Sequence, residues 1–223
     1  MFPINTWYVA ARSEEIPSDR PLGRRICNQP MALFRNSAGQ VAAVEDFCPH
    51  RGAPLSLGKV EGDTLVCGYH GLAMGCDGKT VSMPCQRTRG FPAIRSFPIH
   101  EAHGFVWVWP GDAAKADAAL VPQFEWLGNP QFGYGGGLYD IACDYRLMVD
   151  NLMDLTHETF VHGSSIGQRA VAEAPFVATH GDRTATVTRW MPTKSSGSAD
   201  WPHRPSRPAA ARPRGGCSPA RRC

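Results

Sequence analysis

Between residues 22 and 110 the chain breaks into short runs of β-branched, aromatic and aliphatic side chains separated by Gly, Pro, Asn and Asp. The runs are R-R-I-C ending at Cys27, M-A-L-F-R from Met31, V-A-A-V from Val41, T-L-V-C ending at Cys67 and F-V-W-V-W from Phe105. Each has strand length and is closed by turn formers, which predicts an antiparallel β domain over residues 1–110 with loops gathered at one end. An Ala-, Asp- and Lys-containing stretch from Gly111 predicts a linker with a short helix, within residues 111–133. Beyond Gly135-Gly136-Gly137 the period lengthens. Met148, Leu152 and Leu155 recur at i, i+4 and i+7, one apolar stripe of a helix that takes in Val149 to His162. Asn151, Asp154 and His157 recur every three residues and lay a polar stripe beside it. The expected fold class is therefore α+β, with residues 134–194 forming the first part of a second, α+β domain.

At 223 residues and 43% hydrophobic content, the chain can bury one full core and part of another. No stretch approaches the roughly 18 apolar residues of a membrane span, and residues 1–10 lack a basic segment leading into an apolar run. A cytoplasmic location without a membrane partner is expected. Eight cysteines are present, but Cys27, Cys76, Cys85 and Cys143 follow no disulfide framework, as expected of reduced thiols. The net charge of +3 misleads until it is divided: residues 195–223 hold six arginines against Asp200 alone, which is +5 and leaves −2 for the rest. Arginine clusters attract phosphates, but this one lacks Lys, Val, Ile, Leu and Phe, so it is not read as a nucleic-acid or membrane arm. A mixture of Arg, Pro, Ala, Gly and Ser that begins abruptly after Lys194 reads instead as a disordered, frame-shifted segment, with a large part of the second domain expected to be missing.

The densest chemistry lies between Cys48 and His70. C-P-H-R-G and C-G-Y-H-G each offer one thiolate and one imidazole, with Cys48 and His50 two positions apart and Cys67 and His70 three apart. A structural zinc ion accepts the same set, but zinc modules take both cysteines from one knuckle and both histidines from one helix. One thiolate and one imidazole per loop is the pattern of a Rieske [2Fe-2S] cluster, in which two thiolates hold one iron and two neutral imidazoles the other. Gly52 and Gly71 suit tight loops wrapped around a bulky group.

The predicted helix carries a second constellation. No Lys or Arg occurs between Leu147 and Gln168, so its acids and imidazoles lack the cations of a solvated face and suggest a metal. His157 and His162 are five apart, about 140° on a regular helix, so both face one ion only if the helix widens or ends between them. The bland alternative is a buried helix whose histidines bond to backbone.

F-C-P-H-R-G-A-P-L-S-L-G from Phe47, C-G-Y-H-G-L-A-M-G-C-D-G-K-T from Cys67 and N-T-W-Y-V-A from Asn5 resemble the Rieske non-heme iron oxygenases, and within them the vanillate O-demethylase type of oxygenase component. The likeness covers about residues 1–190. It implies Cys48, His50, Cys67 and His70 as cluster ligands, His157 and His162 as ligands of a mononuclear Fe(II), and Asp154 as a carboxylate bridging an iron-binding histidine to a cluster histidine of a neighbouring subunit. It also implies a helix-grip catalytic domain, a homotrimer, and a separate flavin and iron–sulfur reductase fed by NADH or NADPH. In this type an aryl methoxy carbon is hydroxylated with O2 and the hemiacetal collapses to formaldehyde and a phenol, which would convert vanillate to protocatechuate.

The quinol-oxidising respiratory Rieske proteins carry an extra cysteine in each loop and a serine donor to sulfur, where this chain has Ala53, Tyr69 and Leu72. Fewer bonds to sulfur place the expected potential toward the lower end of the Rieske range. The third iron ligand should be a carboxylate far beyond His162, yet only Glu173, Asp182 and Asp200 follow it and none has the expected context. Three alternatives stay open: a related methoxybenzoate demethylase or ring hydroxylase, a Rieske electron carrier without catalysis, and a zinc-binding structural module.

Overall fold

The computed structural model describes residues 2–191 apart from residues 85, 125, 128 and 134. The expectations about Cys85, Asp200 and the tail from residue 195 lie outside the described residues. The chain divides into two compact units, Met1–Gly137 and Leu138–Cys223.

Among its described residues the first unit is built from eleven short strands: β1 (Tyr8–Arg12), β2 (Leu22–Ile26), β3 (Gln29–Arg35), β4 (Val41–Glu45), β5 (Lys59–Glu61), β6 (Thr64–Val66), β7 (Ala73–Gly75), β8 (Thr80–Ser82), β9 (Ser96–Phe97), β10 (Ile99–Ala102) and β11 (Phe105–Val108). They form three antiparallel sheets in the orders β1-β11-β10, β2-β3-β4-β9 and β5-β6-β7-β8. All five runs read from the sequence are strands. The short β5, β7, β8, β9 and β10 carry too few apolar residues to announce themselves by alternation. Cys27 and Asn28 both take positive φ between β2 and β3, the two-residue hairpin turn whose twist matches its strands.

The middle sheet is apolar on both faces. Met31, Ala32, Leu33 and Phe34 in β3 are all fully buried. Because successive side chains point to opposite faces, Ala32 and Phe34 join Val44, Leu55, Leu65, Leu72 and Met74 in one core, while Met31 and Leu33 join Ile16, Phe97, Val106 and Val108 in another. Each such aliphatic side chain contributes about 1.5–3 kcal/mol when buried. Cys48 and Cys67 belong to the first of these cores, so the loops that bear them are anchored by it.

Residues 111–133, expected as a linker, carry two 3-10 turns, Ala113–Lys115 and Ala118–Leu120, capped by the Asp112 and Asp117 carboxylates. The Trp7 indole donates to the Asp117 carbonyl at 2.7 Å, and Val121 is buried with Trp7, Trp107 and Trp109. This stretch packs within the first unit.

The second unit holds α1 (Tyr145–Met153), α2 (Thr156–Val161), α3 (Arg169–Glu173) and the hairpin of β12 (Phe176–His180) and β13 (Ala185–Arg189). The helix expected to run unbroken from Val149 to His162 is two helices. Asp154 leaves the helical region at φ −105° and ψ 92°, and its carboxylate accepts the Thr156 N–H at 3.0 Å, which stops α1 and starts α2. Leu155 therefore sits in the break, outside the helix that holds Met148 and Leu152, and Leu152 is 66% exposed. No helix among the described residues is long and apolar enough to cross a membrane.

Candidate metal centres

The two cysteine loops close in the same way. After β4, the Cys48 N–H donates to the Ala53 carbonyl at 2.9 Å and the Gly52 N–H returns to the Cys48 carbonyl at 2.8 Å. After β6, Cys67 and Leu72 pair at 2.8 Å, and Gly71 returns to Cys67 at 3.0 Å. The glycine stands four residues after the cysteine in both loops, with φ of +72° at Gly52 and +73° at Gly71. A side chain in that left-handed region costs roughly 1–2 kcal/mol, and a Cβ at Gly71 would lie 3.1 Å from Pro84. The loops are thus matched around cysteine and glycine, although the imidazole sits two residues after one cysteine and three after the other.

This closure buries both sulfurs and turns both imidazoles toward each other. Cys48 and Cys67 are each 2% exposed, and their thiols meet. The His50 and His70 ring centroids are 4.6 Å apart at 70°. Phe91 meets His50 edge-on at 5.9 Å, and Tyr69 lies tilted over His70 at 3.8 Å. Burial pushes the Cys48 thiol up, and the neighbouring Cys67 adds to this, while the His50 and Arg51 backbone N–H groups donate to the sulfur and pull it down. The His50 imidazole is pushed down by desolvation and by the positive charges of His70 and Arg51, so its neutral, coordinating form is favoured.

These residues fit a binuclear cluster. The buried His50 Nδ1 has no hydrogen-bond partner among the described residues, and a metal is the partner that this donor set offers it. Among the described residues no three His, Cys, Asp or Glu side chains converge as ligands of a single ion. Thiol faces thiol and imidazole faces imidazole. That division suits two irons sharing inorganic sulfides better than one tetrahedral zinc.

The second constellation is also brought together. His157 lies in the first turn of α2 and His162 at its end, where φ −107° and ψ 21° leave the helix. Their ring centroids are 5.5 Å apart, so the predicted termination between them is what lets both imidazoles approach one point. His157 Nδ1 lies 2.6 Å from the Asp154 carbonyl, which only accepts; Nδ1 must therefore carry the proton. Nε2 then accepts from the Asn151 side-chain N–H at 3.3 Å, with the same lone pair that an iron would claim. It is the backbone carbonyl of Asp154 that engages His157, while the carboxylate turns to Thr156. Hydrogen bonds from the Thr156 backbone and hydroxyl, then the charges of Arg189 and His157, hold the Asp154 carboxyl below its usual range.

Arg189, in β13, was not legible as part of this site. The helix region lacks cations in sequence, but the hairpin brings one back to within 3.9 Å of Asp154. No local spacing signals a partner so far along the chain. Of the acids beyond His162, Glu173 pairs with Arg169 at 3.3 Å, and neither it nor Asp182 forms a three-ligand group with the two imidazoles.

A model of the Rieske [2Fe-2S] domain matches residues 6–98, and a model of the vanillate O-demethylase oxygenase C-terminal domain matches residues 141–208. The chain is 60% identical over 191 residues to a vanillate O-demethylase oxygenase subunit of Pseudomonas sp. (strain HR199 / DSM 7063), covering 86% of this chain and 54% of that protein. It is 65% identical over 162 residues to the vanillate O-demethylase oxygenase subunit of Pseudomonas sp. (strain ATCC 19151), covering 72% and 49%. A crystal structure of dicamba monooxygenase bound to dicamba superposes with a TM-score of 0.76 at 41% identity, covering 83% of this chain and 56% of that one. The chain spans about half the length of the curated relatives it matches. With a Rieske [2Fe-2S] domain followed by sequence of the vanillate O-demethylase oxygenase C-terminal domain, the chain belongs to the Rieske non-heme iron oxygenase family.

Proposed function

We propose that this chain acts in the oxygenase component of an aromatic O-demethylase that converts vanillate to protocatechuate and formaldehyde. Cys48 and Cys67 hold one iron of the [2Fe-2S] cluster and His50 and His70 the other, while His157 and His162 hold a mononuclear Fe(II). The observation that carries this reading is the pairing of imidazoles in both units, at 4.6 Å and 5.5 Å, within an α+β chain of this family. When bound, the cluster and the iron supply single electrons and dioxygen activation. The chain's own residues supply orientation: the Asp154 carbonyl holds the Nδ1 proton of His157 so that Nε2 faces the iron position.

The partners follow from the same reading: a flavin and iron–sulfur reductase drawing on NADH or NADPH, and a cytoplasmic homotrimer in which Asp154 lies on the path between one subunit's cluster and its neighbour's iron. A related methoxybenzoate would be the nearest alternative substrate. A second reading, electron carriage without oxygenation, is favoured by one observation: no carboxylate joins His157 and His162 as a third ligand among the described residues. Supplying the purified chain with reductase, NADH, O2 and vanillate separates the two. Formaldehyde and protocatechuate in equal amounts are the expected products, whereas a cluster that is reduced and reoxidised with no formaldehyde formed would leave the carrier reading.

A further inference from the structure

We propose that Arg189 is a positioning residue for the iron-binding imidazole of His157, acting through Thr156 and Asp154. The inference deepens the reading of His157 as an iron ligand and rests on it only for its metal readout.

The guanidinium of Arg189 is nearly buried, with its side chain 10% exposed. Nη1 donates to the Val171 carbonyl in the middle of α3, and Nη2 donates at 2.9 Å to the hydroxyl of Thr156, the first residue of α2. The guanidinium also lies over the ring of Phe176, its directly opposed partner in the β12–β13 hairpin, at 5.2 Å. Arg189 is therefore fixed by a strand, a helix start and an aromatic face at once. A planar fork with several donors makes such a junction, which a point-charge ammonium does not reproduce.

What Arg189 grips is the break between α1 and α2. Thr156 accepts from Arg189 and meets the Asp154 carboxylate through both its N–H and its hydroxyl. Asp154 in turn fixes the imidazole of His157 through its carbonyl, 2.6 Å from Nδ1. One chain of contacts thus runs from Arg189 to the tautomer of His157. Since α2 has only six residues and the second unit buries little around it, local hydrogen bonds rather than packing must set that ring. Partners of this kind, one step behind a metal ligand, typically change metal affinity by about 10–100-fold when removed.

The test uses the full chain and four variants: Arg189→Lys, Arg189→Gln, Thr156→Val and His157→Ala. The imidazole nitrogens of metal-free, 15N-labelled protein report the His157 tautomer, assigned by loss of its signals in His157→Ala. The expected parent spectrum is that of a single Nδ1–H form, and Arg189→Gln and Thr156→Val should convert it to a mixture, with Arg189→Lys between. Fe(II) titration, read by the EPR signal of the nitric oxide adduct, should show about 10–100-fold weaker binding in Arg189→Gln and in Thr156→Val. The double variant should be no worse than either single one, as for links of one chain. A His157 tautomer unchanged in both Arg189→Gln and Thr156→Val overturns the proposal, even if one of the two variants fails to fold and only the other is read. Fe(II) binding that survives His157→Ala would instead overturn the iron-site reading, and leaves the tautomer result to decide Arg189.

Discussion

His50 and His70 come from separate loops and approach to 4.6 Å; His157 and His162 flank one short helix and approach to 5.5 Å. The two pairs differ in what holds them. Around the first, Leu55, Leu65, Leu72 and Met74 are fully buried and the adjacent cysteines belong to the same core. Around the second, Val171 is the one buried hydrophobic residue of its unit among the described residues, and Leu147, Val149, Leu152 and Phe160 are exposed. Packing positions the first pair, whereas hydrogen bonds from Asp154, Thr156 and Arg189 position the second. A site of the first kind resists changes remote from it; a site of the second kind fails when a single polar link is cut.

The largest expected effect separates the two centres outright. Cys48→Ser should abolish the visible absorbance and EPR signal of the cluster while leaving Fe(II) binding at His157 and His162, and His157→Ala should do the reverse. Loss of both signals in either variant would mean that the centres do not form independently.

Core substitutions sharpen the same contrast. Leu65→Ala, at a fully buried position, should destabilise the first unit by about 2–5 kcal/mol, whereas Leu152→Ala, at an exposed one, should stay within about 0.5 kcal/mol. Denaturant unfolding followed by the near-ultraviolet circular dichroism of the buried Trp7, Trp107 and Trp109 for the first unit and by helix circular dichroism for the second measures both. Equal effects would contradict the division into packed and hydrogen-bonded scaffolds.

Next comes Gly71→Ala, which forces a side chain into φ of +73° beside Pro84 and should cost roughly 1–2 kcal/mol with faster loss of cluster iron. Iron release to a chelator, followed over time, checks it; a release rate equal to that of the parent would show that the loop tolerates the change.

The smallest effect is one of pH. Arg146 holds the Asp144 carboxyl down to about 2, and the folded value therefore lies below the ordinary 3.8. A depressed carboxylate stabilises the fold above its ordinary pKa and loses that contribution as pH falls through the folded value. Helix α1, which Asp144 caps at the Arg146 N–H, should thus fray as pH drops from about 4 toward 2, and Asp144→Asn should remove that pH dependence. Amide exchange of α1 residues across that range provides the measurement.

The contrast also explains what could be read from the chain itself. The β runs at Met31, Val41 and Phe105 were legible because both of their faces are apolar and feed buried cores, and the cluster motif because ligand spacing is local. The need for a helix end between His157 and His162 followed from rotation per residue alone. The break at Asp154 was missed because an apolar stripe continues across it, and only the carboxylate capping Thr156 reveals that the helix restarts. Arg189 was missed because Thr156 and Asp154, the residues of the site that it meets, lie more than thirty residues away, a distance no periodicity spans. Residues 111–133 read as a linker from composition, yet Val121 and the Asp117 carbonyl are held by the tryptophan cluster, a tertiary contact that composition does not encode.

The most direct test of this account is iron, acid-labile sulfide and EPR on anaerobically purified protein, in the parent chain and in His50→Cys. The account predicts about two cluster irons and two sulfides per chain and a Rieske EPR signal, which shifts toward that of an all-cysteine cluster at lower potential when an imidazole is replaced by a thiolate. Stoichiometric zinc without sulfide, or an EPR signal that His50→Cys leaves unchanged, would contradict it.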